Sequence, residues 1–362
     1  MSLNVKKIDI TPKRGLNIRN HGDFIMGKIF PLKEKPSCFR PALKLIEASF
    51  HYQKENSFKI DFSPLMDPSN HHNCYVYLDD QEQVLAHVGA RDLFINLNGK
   101  HHRITLLGGI AVHEACRGQG IFQELFTHVL SEKRSETAFF LLWSDQEKLY
   151  GKFGFTLCGI QIEASISPRE NSPFIKTKLA DLSEDDKKQI RDLYVSSFKE
   201  AYITIERSDT DWKMIEEITS ADLYLQKERG LISSYYFMNK GQDLPGIIYE
   251  YGTKGKLENY LKELSHYGKV WLGQSYLESP HHQYQFFLAP ADSRLFSDFI
   301  YDFTHQIIRI QKINPMKQEV FFDYDEETLL LEMPEFLRGV FGPGTFEELN
   351  LKPFFISGLD SI

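Results

Sequence analysis

ITLLGGIAVHEACRGQGIF, residues 104–122, is the stretch whose reading decides the fold. Its first part, Ile104 to His113, is apolar on both faces, as a central sheet strand is. The chain changes character over Glu114–Gly120. From Ile121 to Lys133 a helical pattern follows, with Ile121, Leu125, Val129 and Leu130 on one face. Between strand and helix stand Arg117, Gly118, Gln119 and Gly120. A helix N-terminus carries unpaired N–H groups and partial positive charge, so it attracts anions. Glycine lets backbone approach a phosphate closely, and Arg117 adds a permanent charge with fork-shaped donors. Together they make a pyrophosphate cradle. The spacing is neither GxGxxG nor GxxxxGK[ST], so neither a dinucleotide-binding fold nor a P-loop is indicated.

Working outward, residues 1–37 read as irregular, broken by Pro12, Pro31 and Pro36. A helix is expected from Pro41 to Gln53, then strands over Cys74–Leu78 and Val84–Asn96, with an Asn98-Gly99 turn. Beyond the helix, Phe139–Trp143 reads as a buried strand, Ser144 or Asp145 as the cap of a short helix through Tyr150, and Phe155–Ile166 as another strand. Two parallel strands that each run into a helix open a cleft at their C-terminal ends. Residues 117–120 would sit at one mouth and Tyr150 at the other. After a linker at Asn171–Pro173, a helix is expected from Ser183 to about Tyr202. Strands follow at Ile232–Met238, Ile247–Tyr251, Val270–Tyr276, Gln283–Leu288 and Val320–Tyr324, with a long helix over Ser293–Ile310. The opening order of helix, strand, strand repeats that of the first half, so the second half reads as a diverged copy. It lacks an Arg-x-x-Gly-x-Gly loop; Gly252 to Lys256 reads as a plain turn with solvated lysines.

The expectation is thus a mixed α/β fold of two domains, 1–167 and 168–362, in a chain of 362 residues. The 42 basic and 50 acidic residues give a net charge of −8. That argues against a nucleic-acid partner and suits a cationic one. Cys38, Cys74, Cys116 and Cys158 are isolated, which points to a reducing compartment and no structural metal. The pairs His71-His72, His101-His102 and His281-His282 read as polar turns, again without metal. No apolar run is long enough for a membrane span, and Met1–Arg19 lacks a signal-peptide core. The cytoplasm is the expected location, and the oligomeric state is left open.

At this point the residues resemble the GCN5-related N-acetyltransferase (GNAT) superfamily. Its signature Arg/Gln-x-x-Gly-x-Gly/Ala is matched by Arg117 to Phe122, with Phe122 in place of the usual small residue. Its later apolar-Tyr-x-x-apolar-Gly-Phe string is matched by Leu149 to Phe155. The resemblance covers about residues 38–165. It departs at Glu114, where proline is common, and at Trp143-Ser144, where many members carry asparagine. It implies a catalytic N-terminal domain that binds acetyl-CoA as co-substrate. Ile110, Ala111 and Val112 would pair with the pantetheine arm, and Arg117, Gly118, Gln119, Gly120, Ile121 and Phe122 would hold the pyrophosphate. Ser144 would stand beside the cofactor, and Tyr150 would be the general acid for the departing thiolate. A small-molecule or protein amine would be the acceptor.

The amine needs a base. His113 and Glu114 are candidates, and Asp145 ends the next strand. A narrower resemblance, to the two-domain enhanced-intracellular-survival branch, implies that the terminal carboxylate, here that of Ile362, serves instead. The apolar C-terminus Phe354–Ile362 prefers docking to dangling. Trp271 and Tyr276 are candidates for lining an acceptor cleft at the domain junction. Two other readings stand beside this one: a CoA-binding sensor or scaffold without turnover, and an aminoacyl-tRNA-dependent transferase with tandem GNAT-like domains.

Overall fold

The structure, a computed structural model, describes residues 27–53, 55–164, 172–264, 266–273, 281–343, 346, 349 and 351–362. One twelve-stranded sheet runs through it. In chain order its strands are β1 (Lys28–Pro31), β2 (Cys74–Leu78), β3 (Val84–Leu97), β4 (Lys100–Val112), β5 (Phe139–Leu142) and β6 (Thr156–Ala164). The second half supplies β7 (Ile175–Thr177), β8 (Asp222–Glu228), β9 (Leu231–Met238), β10 (Ile247–Thr253), β11 (Lys269–Leu272) and β12 (His281–Pro290).

Their spatial order is β1-β2-β3-β4-β5-β12-β6-β11-β10-β9-β8-β7. The order is unchanged when the list is reversed and each strand is exchanged for its counterpart six places along. The pairing senses follow the same rule. β4 and β5 are parallel, and so are β10 and β11; β5–β12, β11–β6 and the central β6–β12 pair are antiparallel. Both parallel pairs are joined through a helix, Ile121–Arg134 in the first half and Leu257–Leu264 in the second. The second half is therefore a diverged copy of the first. Each copy has given its sixth strand to the other: β12 lies between β5 and β6, and β6 lies between β12 and β11. The expected boundary at 167/168 and Asn171 of the expected linker lie outside the described residues.

Helices cover both faces. Phe39–Ser49 and Ser293–Phe303 pack over one large apolar cluster with Leu106, Phe139 and Phe341. Ile121, Leu125, Phe126, Val129 and Leu130 of the helix after β4 pack over Ala86, Leu107 and Phe140 on the other face, which is the stripe the sequence spacing implies. A third cluster, rich in Tyr and Phe, belongs to the second copy.

Several expectations need correction. Residues 28–31 form an edge strand rather than irregular chain, because their backbone finds β2. His101 and His102 lie in β4, not in a turn, and His102 is buried against Asp302 at 3.1 Å. His281 and His282 lie in β12. The long helix stops at Phe303 instead of Ile310. His305 and Gln306 take positive φ (53° and 69°), and Arg309–Asn314 runs as a strand against Glu319–Tyr324, which pairs in turn with Glu327–Glu332. Alternation of Ile308, Ile310 and the polar residues between them suits a strand better than a helix. Neither Ser144 nor Asp145 caps the helix Glu147–Tyr150 with its side chain; Gln146 holds the cap position, and Ser144 Oγ accepts from its N–H at 3.1 Å. No described helix is long and apolar enough to cross a membrane.

Candidate active site

β4 carries one extra residue opposite β3, where His87 faces Ala111 and Gly89 faces Gly108. The bulge falls at Gly109, whose φ of +59° glycine adopts without strain. β5 pairs with β4 only at Thr105 and Leu106. Beyond that point the two parallel strands part, and residues 107–112 line a cavity of about 1330 Å³. A strand left without its neighbour on one side offers N–H and C=O groups to an extended ligand.

The Gly-loop stands at one end of this cavity. Arg117, Gly118, Gly120, Ile121 and Phe122 all line it. Gly120 has φ +84° and sits at the N-cap of Ile121–Arg134 with no side chain over the helix end, which leaves the first N–H groups for an anion. Phe122 turns inward, as the substitution demands, stacking on Phe126 at 5.0 Å and meeting Phe153 edge-on at 5.6 Å. Gln119 is not in the lining: its Nε2 donates to the carbonyl of Ala115 at 3.1 Å.

Tyr150 lines the cavity from the β5 side, with Ser144 and Asp145 beside it. Its ring is 6% exposed and packed against Phe126, Phe155 and Phe287. Burial pushes its phenol up to about 12, only partly offset by a hydrogen bond with Ser144, so the proton is held firmly at neutral pH.

His113 and Glu114 are not brought to the cavity wall. Glu114 is exposed at the start of the turn Glu114–Cys116. His113 donates its backbone N–H to Leu85 at 2.8 Å, and its Nδ1 is buried without a partner among the described residues. Ile362 does reach the cavity. Its main-chain carbon lies against Gly108, where an added Cβ would come within 2.6 Å of it. Gly108 is thus the gap in β4 that admits the tail. Trp271 also lines the cavity; Tyr276 lies outside the described residues.

The sequence gives no hint of what holds the tail. Arg207, fully buried, donates Nε and Nη2 to Asp360 at 3.0 and 2.9 Å, and Nη1 to Glu250 at 3.0 Å. Its Cζ lies 4.1 Å from the Tyr194 ring centroid and 4.6 Å from that of Trp212. Ser357 Oγ also bonds Glu250. Lys240, equally buried, donates to the carbonyls of Gly358 and Ser361 at 2.8 and 3.0 Å and sits 4.1 Å over the Phe62 ring. Burial pulls this lysine below its ordinary pKa, while Asp243 and Asp61 pull the other way. The tail lies along β10 beyond the two residues that pair with β11, with Gly358 against Tyr249 and Phe355 against Gly273. That is the opening of the second copy which corresponds to the cavity of the first. The second copy also has only the short stretch Lys254–Lys256 where the first has its Gly-loop.

His87 supports the bulge. Its Nδ1 lies 2.7 Å from the carbonyl of Gly109, and its Nε2 is buried without a partner among the described residues. Burial pulls its pKa down to about 4, against the backbone bond, which raises it. The folded protein therefore keeps His87 neutral at pH values where the unfolded chain, near 6.5, binds a proton. Stability contributed this way is complete above pH 6.5, declines as pH falls, and is lost below about 4; its size is about 3 kcal/mol. In denaturant titrations at pH 7 and pH 4.5, His87→Gln should show a clearly smaller acid loss than the parent chain. Equal losses would exclude His87 as a main source.

A bulged central strand, a parting parallel neighbour, a glycine loop at a helix N-terminus and a tyrosine at the opposite wall thus share one cavity. Residues 33–158 match the acetyltransferase (GNAT) domain family. That match identifies the N-terminal part of the chain, residues 33–158, as a GNAT domain. The fold of the chain is similar to that of GCN5-related N-acetyltransferases from Anabaena variabilis (11% identity, 93% of this chain and 100% of that one, TM-score 0.57) and Kribbella flavida (13%, 84% and 83%, 0.55). It is similar also to Eis1 from Mycobacterium abscessus (10%, 90% and 92%, 0.56). No curated protein matches it in sequence.

Proposed function

We propose that the protein transfers an acetyl group from acetyl-CoA to a primary amine. The observation that carries this reading is the meeting, in one cavity, of the Arg117–Phe122 loop, the unpaired edge of β4 and the buried Tyr150. The pyrophosphate rests on the N–H groups at Gly118–Phe122 with Arg117 beside it. The pantetheine arm pairs with Ile110–Val112 as an added strand. A free N–H of that segment polarises the thioester carbonyl. The amine attacks the carbonyl carbon, the C–S bond breaks, and Tyr150 gives its proton to the sulfur. The proton leaving the amine passes to water. The acceptor end is shaped by the second copy, from which Leu244, Ile247 and Trp271 line the cavity. The four cysteines are free and buried, which suits the cytoplasm as the place of action.

Calorimetry with acetyl-CoA and a thiol-release assay with an amine panel test the reading. Arg117→Ala should weaken acetyl-CoA binding about tenfold, the value of a charge-assisted phosphate contact, with little change in melting temperature because the side chain is exposed. No binding by the parent chain, or binding without thiol release for any amine, would overturn the proposal.

A further inference from the structure

The far end of the cavity has a composition of its own. Phe50, Tyr52, Phe58 and Phe62 come together there as one aromatic cluster, with ring centroids 5.8, 5.8 and 4.5 Å apart around Phe58. The loop after β9 closes over it. Gln242 donates Nε2 to the carbonyl of Phe50 at 3.1 Å and its N–H to Asp61 at 3.2 Å, and Tyr52 donates to Asp61 at 2.8 Å. Contacts then lead straight to the reacting end. Lys240 sits on Phe62, 3.5 Å from Asp243, and holds Ser361, the neighbour of Ile362. Trp271 stands in the same lining, its Nε1–H buried and without a partner among the described residues. A buried donor of that kind asks for a partner, and a bound molecule supplies one.

Charge and shape point the same way. Among the described residues, Asp243 lines the cavity beside Lys240, which buried Asp61 also attracts, so two carboxylates answer one ammonium and the lobe favours a positive ligand. Aromatic faces attract cations and bury flat apolar surface, but they offer little to a body covered with hydroxyl groups, which would lose its hydration without replacement bonds.

Resting on the N-acetyltransfer reading above, we propose that the acceptor is a primary amine carried on an aromatic body. The ring is held among Phe50, Tyr52, Phe62 and Trp271, with the ammonium directed at Asp243. Phe50 is 46% exposed, so truncating it tests binding without emptying the core.

The experiment measures kcat/KM for 2-phenylethylamine, glucosamine and putrescine at saturating acetyl-CoA, with parallel calorimetric titration of each amine into free and CoA-saturated protein. The expected result is at least a tenfold preference for 2-phenylethylamine. Phe50→Ala should raise its KM about fivefold while leaving the KM for acetyl-CoA unchanged, and Asp243→Asn should weaken its binding in the titration. Equal or better use of glucosamine or putrescine overturns the proposal, as does an unchanged KM in Phe50→Ala. If no amine is acetylated, the transfer reading fails, and the titration judges the inference separately. Saturable binding of 2-phenylethylamine lost in Phe50→Ala upholds the aromatic seat, and absence of binding overturns it.

Discussion

Tyr150→Phe should lower kcat about 10²- to 10³-fold, the usual contribution of a positioned general acid, while the dissociation constant for acetyl-CoA changes less than twofold. The substitution removes one hydroxyl and keeps the ring, whose packing on Phe126, Phe155 and Phe287 needs no oxygen. Stability should therefore be nearly unchanged, which separates a chemical role from a structural one. Because burial places the phenol up to about 12, the parent enzyme should show no loss of kcat from Tyr150 ionisation between pH 7 and 10. A variant with full kcat would show that the thiolate takes its proton elsewhere.

Arg207→Ala should cost about 3–5 kcal/mol of stability, the penalty for removing one member of a buried ionic cluster, measured by denaturant titration. The guanidinium answers both Glu250 and Asp360, all three side chains being inaccessible to solvent. Its loss leaves two buried carboxylates without their cation. It also frees the tail at Asp360, so kcat should fall further than the folded fraction alone explains. Arg207→Lys should recover only part of the loss, since a single ammonium cannot bond both carboxylates in the geometry of the fork. A loss under about 1 kcal/mol would mean that Glu250 and Asp360 are stabilised by other partners.

The part of the fold legible in the sequence is the part written contiguously. Residues 104–134 show strand, loop and helix in one reading, because each period changes within a few residues. Tyr150 was reachable through its flanking Gly154 and Phe155. The exchange of β6 and β12 was not, since nothing in Thr156–Ala164 or His281–Pro290 says which of several apolar strands will be its neighbour. The ends of the sheet were missed for a related reason. β7 has three residues, and the alternation of Asp222–Glu228 is carried mainly by Leu223 and Leu225. Arg207, Lys240 and Asp360 look like any solvated charges along the chain. Their role depends on approaches across 153 and 118 residues of sequence, and single positions carry no trace of such distances. Ile362 was singled out through a family resemblance, and the structure supplies a physical setting for it in the missing side chain of Gly108.

The reciprocal sixth strands give the molecule the layout of a domain-swapped dimer written into one polypeptide. In a dimer of identical chains, every residue that helps one cleft is repeated in the other, and assembly depends on concentration. Joining the halves removes both constraints, because the partner is always present at a fixed effective concentration and each copy varies alone. One opening can then retain its glycine loop while its twin becomes the socket for residues 355–358. A segment seated in one opening and reaching the other with Ile362 is an asymmetry that symmetric twins could not hold.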